Sequence, residues 1–246
     1  MVLEHSLGLN GEYSGLYGEV VDSDIYYLRD VKDIVSINDP NYVHVHGHAR
    51  AFGFIPDTIL DLGANVGIFS RYARSLFPDA LIIAVEPNGW NCSVFKEFTQ
   101  DDRIILIEKA IGAGQMYYGK GANGAMEVYL SEGLGFNELA FQRLNEAGTV
   151  VKSNIDSIML TDLKKYCNGK VILKLDIEGN ETIIFNDKPS MDLIKTFDYI
   201  CIELHFFAYS GQELDTVKAK TESVLNELKE THNTRLDNIY FYATKK

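Results

Sequence analysis

The sequence predicts an α/β domain doubly wound around a mostly parallel sheet, and three observations predict it. From about residue 58 onward, short β-rich runs alternate with helical patterns, which is how parallel strands joined by crossover helices read in sequence. The first run ends in an acid and a glycine turn, Asp61-Leu-Gly63-Ala-Asn65-Val-Gly67. The second ends in another acid, Glu86, nineteen residues beyond Gly67.

Taken in order, residues 1–57 carry five tyrosines and many acids with weak periodicity, and are expected to form a cap packed on the domain. They include His44-Val-His46-Gly-His48, half of the six histidines. In an extended strand the three rings face one way, as a metal site requires. No nearby carboxylate is spaced to complete such a site, so a metal, acceptor contact and ordinary surface packing all stay open. Strands are expected at 58–61, 81–86, 103–107, 171–176 and 198–204. Between the first two, Val66, Phe69, Ala73, Leu76 and Phe77 recur at helical spacing until Pro78, predicting an amphipathic helix. Residues 112–135 hold seven of the 20 glycines and read as a turn-rich insertion or hairpin outside the core, of the length at which lids occur. Leu214, Val217, Thr221, Val224, Leu225 and Leu228 predict a late helix, and Ile239-Tyr-Phe-Tyr-Ala a closing strand. Without a repeat or low-complexity linker, 58–246 reads as one elaborated domain.

Composition narrows the partners. Acids exceed Lys and Arg by 12, with no basic block, which disfavours a polyanionic nucleic acid and favours a neutral or cationic small molecule. No run approaches a membrane span, and the first residues lack a basic leader, so no membrane association and a cytoplasmic protein are expected. Cys92, Cys167 and Cys201 are too scattered for a disulfide framework or a Cys-x-x-Cys metal site.

The glycine turn has separable tasks. Gly63 admits backbone angles closed to other residues and lets a ligand approach the main chain; Gly67 lets a helix start close to its strand. Asn65 either caps that helix or meets the ligand. Glu86 stands where a doubly wound fold offers an acid to ribose hydroxyls, the alternatives being a helix N-cap or a solvated strand end. A dinucleotide enzyme also needs a ribose acid, but its fingerprint is G-x-G-x-x-G. Here the pattern is D-x-G-x-x-x-G, and Asp61 at the strand end repels a diphosphate while suiting an ammonium and a sulfonium.

With those residues in place, the sequence resembles the FkbM-type methyltransferase family, among the Rossmann-like methyltransferases. Four segments carry the resemblance: Leu60-Asp-Leu-Gly-Ala-Asn-Val-Gly-Ile-Phe-Ser, Val85-Glu-Pro-Asn, Lys109-Ala-Ile-Gly112, and most specifically Leu173-Lys-Leu-Asp-Ile-Glu-Gly-Asn-Glu181. Ser153-Asn-Ile-Asp-Ser-Ile-Met is similar to the family's segment before the fourth strand. The resemblance implies a seven-stranded sheet in the order 3-2-1-4-5-7-6 with the seventh strand antiparallel. It also implies S-adenosyl-L-methionine as cofactor, held by Asp61, Gly63, Asn65, Gly67, Glu86, Ala110 and Ile111, and O-methylation, often of sugars or polyketide-type hydroxyls. The cap and the insertion match nothing in the family and would set the acceptor, a small molecule or glycan. An oligomer is compatible with the sequence.

In that order the first and fourth strands are neighbours where the winding reverses, the expected ligand position. Methyl transfer to an alcohol needs a base and tight positioning. Asp176 and Glu178 are the first candidates, then His205, whose ordinary pKa lies near neutrality. Lys174 shares a strand face with Asp176 and is expected to hold it ionised, to pair with Glu203, or to serve as a structural partner for buried acids. In the plainer reading Asp176 binds the cofactor's methionine end and Glu178 caps the following helix. If a divalent metal takes part, its ligands are Asp176, Glu203 and His205.

Overall fold

The computed structural model describes residues 54–120, 127–131, 150–206, 211–237 and 239–246. The expected cap up to residue 53, with His44, His46 and His48, and parts of the glycine-rich insertion lie outside them. Among the described residues no helix is long and apolar enough to cross a membrane.

In chain order the strands are β1 (Thr58–Leu62), β2 (Leu81–Val85), β3 (Ile104–Ile107), β4 (Ala110–Ile111), β5 (Met116–Lys120), β6 (Glu127–Ser131), β7 (Val150–Lys152), β8 (Ser157–Ile158), β9 (Val171–Leu175), β10 (Tyr199–Glu203), β11 (His232–Asp237) and β12 (Tyr240–Lys245). The α-helices are α1 (Ile68–Leu76), α2 (Gly89–Phe98), α3 (Glu181–Asn186), α4 (Lys188–Ile194) and α5 (Gly211–Glu227). Seven strands form one sheet in the order β3-β2-β1-β9-β10-β12-β11. Counting only these strands, the order is 3-2-1-4-5-7-6, as the resemblance implied. The seventh, β12, runs antiparallel to β10.

The chain divides into two compact units. The first, over its described residues, comprises 54–108 and 167–174. Here β1, β2 and β3 pair in parallel, with Asp61 opposite Ala84 and Val85 opposite Ile107. Both β1 and β2 are near-continuous apolar runs because helix-covered parallel strands are buried on both faces. Ile59, Leu60, Ile82 and Ile83 are almost wholly inaccessible, each side chain contributing roughly 1.5–3 kcal/mol. The predicted stripe of α1 goes inward, with Phe69, Ala73 and Leu76 buried. The helix stops one residue before Phe77-Pro78, as expected of a proline that cannot continue the ladder.

The second unit comprises Lys109–Tyr166 and Leu175–Lys246. In it β12 is the centre of an antiparallel trio with β10 and β11. The sequence reading assigned no residues to β11, whose HNTRLD lacks the apolar alternation of a half-buried strand; it lies at the sheet's edge. Part of the glycine-rich segment is indeed a hairpin: β5 pairs antiparallel with β6 and with β7 in a separate three-stranded sheet. Met116 is its buried anchor.

Candidate active site

The first unit carries the glycine turn. Gly63 (φ 81°), Asn65 (φ 50°) and Gly67 (φ 87°) are all left-handed, a conformation that favours glycine and, after it, asparagine. Two amides, of Gly63 and Ala64, donate to the Val85 carbonyl at 2.9 and 3.0 Å, which stitches the turn to the end of β2. Asp61, inside β1, is fully buried. It accepts from Ser70 Oγ at 2.5 Å, and its other oxygen lies 3.4 Å from Lys174 Nζ. That buried ammonium also donates to the Gly63 carbonyl at 2.7 Å. Lys174 thus has a structural partner in Asp61, a residue the sequence reading did not name for it. Asp61 in turn fixes the shape of the turn through Ser70 and Lys174.

Glu86, just past β2, is 6% exposed. Its Oε2 accepts from the Asn65 amide at 2.9 Å, and its Oε1 from the Asn88 amide at 2.9 Å and Asn91 Nδ2 at 3.1 Å. A carboxylate offers about four acceptor positions, so these three bonds leave room for one further donor. Burial pushes the Glu86 carboxyl up, against the lowering effect of those donors. The alternative role of helix N-cap belongs to Asn88 instead, whose side chain accepts from the Trp90 and Asn91 amides. The capping option for Asn65 is likewise corrected: Gly67 is the N-cap of α1, without a side-chain cap. What Asn65 contributes is its amide, held by Glu86. Beside it Cys92 is buried and donates to the Glu86 carbonyl at 3.3 Å; burial lifts its thiol to about 12, which makes it unreactive.

The second unit gathers the other candidates where β9 and β10 end. Past β9 the chain passes through Asp176, Ile177, Glu178 (φ 54°) and Gly179 (φ 107°) before α3. A left-handed glutamate costs roughly 1–2 kcal/mol, and it persists because the loop is tied from behind. Glu181, 1% exposed on the first turn of α3, accepts from the Ile177 and Gly179 amides, both at 3.0 Å. The proposed cap by Glu178 is thus corrected; the acid that reaches back to the loop amides is Glu181.

His205 stands two residues beyond Glu203, the alternation that puts both on one side of an extended chain. Its Nδ1 lies 3.0 Å from Glu181 Oε1, and its Nε2 lies 3.5 Å from Glu178, 3.5 Å from Glu203 and 3.9 Å from Asp176. Burial pushes this imidazole down, yet Glu181, Glu203 and Glu178 together lift it to about 12. His205 is therefore held protonated, not poised near neutrality. The group that is poised is Glu178, which burial lifts to about 7, with Asp176, Glu181 and Glu203 adding to the rise and His205 opposing it. Its side chain is also the most open of the cluster, at 44%. As metal donors, Asp176, Glu178 and His205 have ligand atoms within 4.8 Å of one another, a set with Glu178 in the place given to Glu203 by sequence.

Ala110 and Ile111 are buried in β4, which pairs with β8. Their main chain is engaged: Ala110 N donates to the Asp156 carbonyl, and the Ile111 carbonyl accepts from Asn180 Nδ2 at 2.9 Å. The sequence reading missed Ser70, Asn91 and Glu181 as site residues. All three stand inside or just beside the quoted motifs, and the signal for Glu181 was an acid on the first turn after a glycine, where loop amides need acceptors.

Residues 61–236 match a family model described as the methyltransferase FkbM domain. No curated protein matches the chain. Among solved structures, the chain is similar to a putative rRNA methylase from Clostridium thermocellum, at 14% identity and TM-score 0.45 over 82% of this chain and 96% of that one. It is also similar to a putative caffeoyl-CoA O-methyltransferase from Staphylococcus aureus, at 10% identity and TM-score 0.43 over 96% and 98%. A third is the S-adenosylhomocysteine-bound Podospora anserina methyltransferase PaMTH1, at 10% identity and TM-score 0.40 over 97% of each chain.

Proposed function

The chain belongs to the FkbM methyltransferase family, and from that premise we propose that it transfers a methyl group from S-adenosylmethionine to a hydroxyl of a sugar, glycan or similar small molecule in the cytoplasm. The observation that carries the reading is the cluster just past β9 and β10, where an open carboxyl at about 7 stands with three further carboxyls around one imidazole.

The first unit's residues fit the cofactor. Glu86 keeps one acceptor position for a ribose hydroxyl, and the first turn of α1 has neither an acid nor a side-chain cap, which suits an anionic group there. Bound there, S-adenosylmethionine would supply an electrophilic methyl group with a neutral thioether as its leaving group. Glu86, held in place by the Asn65 and Asn88 amides, would bind and orient the cofactor. Glu178 takes the hydroxyl proton onto its carboxylate, a base matched to neutral pH. Asp176 and Glu203, 3.9 and 3.5 Å from His205 Nε2, offer carboxyl oxygens to neighbouring hydroxyls, which selects a polyol over an apolar acceptor.

The test is transfer of isotopically labelled methyl from S-adenosylmethionine to a panel of sugars, hydroxylated small molecules and amines, with and without EDTA. Labelled methyl ethers formed in the presence of EDTA support the reading. Label on nitrogen, or on no acceptor despite cofactor binding, contradicts it; loss in EDTA with rescue by Mg²⁺ would hand proton removal to an ion on Asp176, Glu178 and His205.

A further inference from the structure

We propose that Asn180 is a positioning residue, whose buried side chain ties the loop that carries Glu178 to β4. The consequence for turnover rests on the function proposed above, in which Glu178 takes the proton; the tie itself is geometry. Asn180 is the N-cap of α3, a place where asparagine commonly accepts from the first helical amides, yet it makes no side-chain cap. On this residue, 3% exposed, Nδ2 instead donates to the Ile111 carbonyl at 2.9 Å, across 69 residues of sequence. The need for that donor comes from β4. Among the described residues β4 pairs with β8 alone. The Ala110 and Gly112 amides both turn to β8, reaching the Asp156 and Ile158 carbonyls at 3.0 and 3.1 Å. Main-chain groups of successive strand residues point to opposite edges, so the Ile111 carbonyl faces away from β8. Ile111 is buried, and a buried carbonyl without a donor is destabilising. Asn180 supplies the donor.

The other end of the tie is the loop. Asn180 directly follows Gly179 and the left-handed Glu178 (φ 54°), a conformation that a residue other than glycine keeps only where its surroundings hold it. The Ile177 and Gly179 amides are held by Glu181, on the helix into which the loop itself leads. Those bonds shape the loop, and the bond to Ile111 fixes its end against a strand from a distant part of the chain. Asn180→Leu keeps nearly the same volume, removes no cap and takes away the donor. A displacement of about 1 Å in a reacting group can cost on the order of 100-fold, so kcat is expected to fall about 10- to 100-fold. KM for S-adenosylmethionine is expected to stay within about twofold, as when an interaction matters only in the transition state. A space-filling role predicts no fall in kcat for this variant.

The experiment is amide hydrogen exchange followed by NMR on the full chain without cofactor or acceptor, together with steady-state transfer of labelled methyl from S-adenosylmethionine to the sugars of the panel above. In Asn180→Leu the Ile177 and Gly179 amides are expected to exchange at least about tenfold faster while those of β10 are unchanged, the mark of a local opening. In the unsubstituted protein the side-chain amide protons of Asn180 are expected to be protected, and in the variant kcat falls without a change in KM. Freely exchanging Asn180 side-chain protons in the unsubstituted protein overturn the proposal, even if Asn180→Leu fails to fold. So does a folded Asn180→Leu with unchanged loop exchange, or with a loosened loop and unchanged kcat. Because exchange is read without substrates, a loosened loop in a protein that transfers no methyl defeats the proposed function while leaving the tie standing.

Discussion

At the scale of single residues, the chain keeps two buried charge systems of different kinds. The Lys174–Asp61 pair is closed: both side chains are at most 1% exposed, and their partners are the turn's own carbonyl and Ser70. Lys174→Met leaves the Asp61 carboxylate buried without its cation, which typically costs about 3–5 kcal/mol; denaturant unfolding is expected to show that loss. The cluster around His205 is open, and its most exposed member sets the pH dependence. The ordinary pKa of a glutamate is 4.5 and that of Glu178 is about 7, so its proton-accepting form accumulates as pH rises through about 7. Turnover is expected to climb up to tenfold per pH unit below 7 and to level off above it, with that limb absent from the residual activity of Glu178→Gln. The sign for stability is opposite. Between about 4.5 and 7 the folded protein binds more protons at Glu178 than the unfolded chain, so this group makes stability fall as pH rises across that window, measurable as a falling Tm that Glu178→Gln flattens.

At the scale of elements, the path from strand to turn to helix explains both what the sequence revealed and what it hid. Gly67 was legible as a close-approach glycine, and the structure supplies the neighbour: a Cβ there would stand 2.5 Å from the Phe95 ring of α2. At φ 87° the substitution is strained as well. Gly67→Ala is expected to cost about 2–5 kcal/mol from overpacking and the left-handed backbone together, read by chemical denaturation. Strands β1, β2, β9 and β10 were legible because burial on both faces makes them apolar runs. The edge strand β11 was not, because its polar sequence carries no period. Asp61 and Glu86 in the first unit, and Asp176 and His205 in the second, could be singled out from their places along the strand pattern. Their partners could not: that Lys174 turns to Asp61, or that Glu181 meets His205, depends on side-chain packing between segments 113 and 24 residues apart, which no local pattern records.

At the scale of the whole molecule, a net charge of −12 and four carboxyls around one imidazole agree with the proposal of a small uncharged or cationic acceptor, since such a field repels a polyanion. The family assignment covers 61–236. The claim on which the rest depends is that the first unit binds S-adenosylmethionine through Glu86. The most direct measurement is calorimetric titration of S-adenosylmethionine and, separately, NAD into the purified full chain and into Glu86→Ala. The account predicts saturable heat with S-adenosylmethionine alone, weakened at least tenfold by Glu86→Ala; binding of NAD, or S-adenosylmethionine affinity indifferent to the substitution in a folded variant, would contradict it.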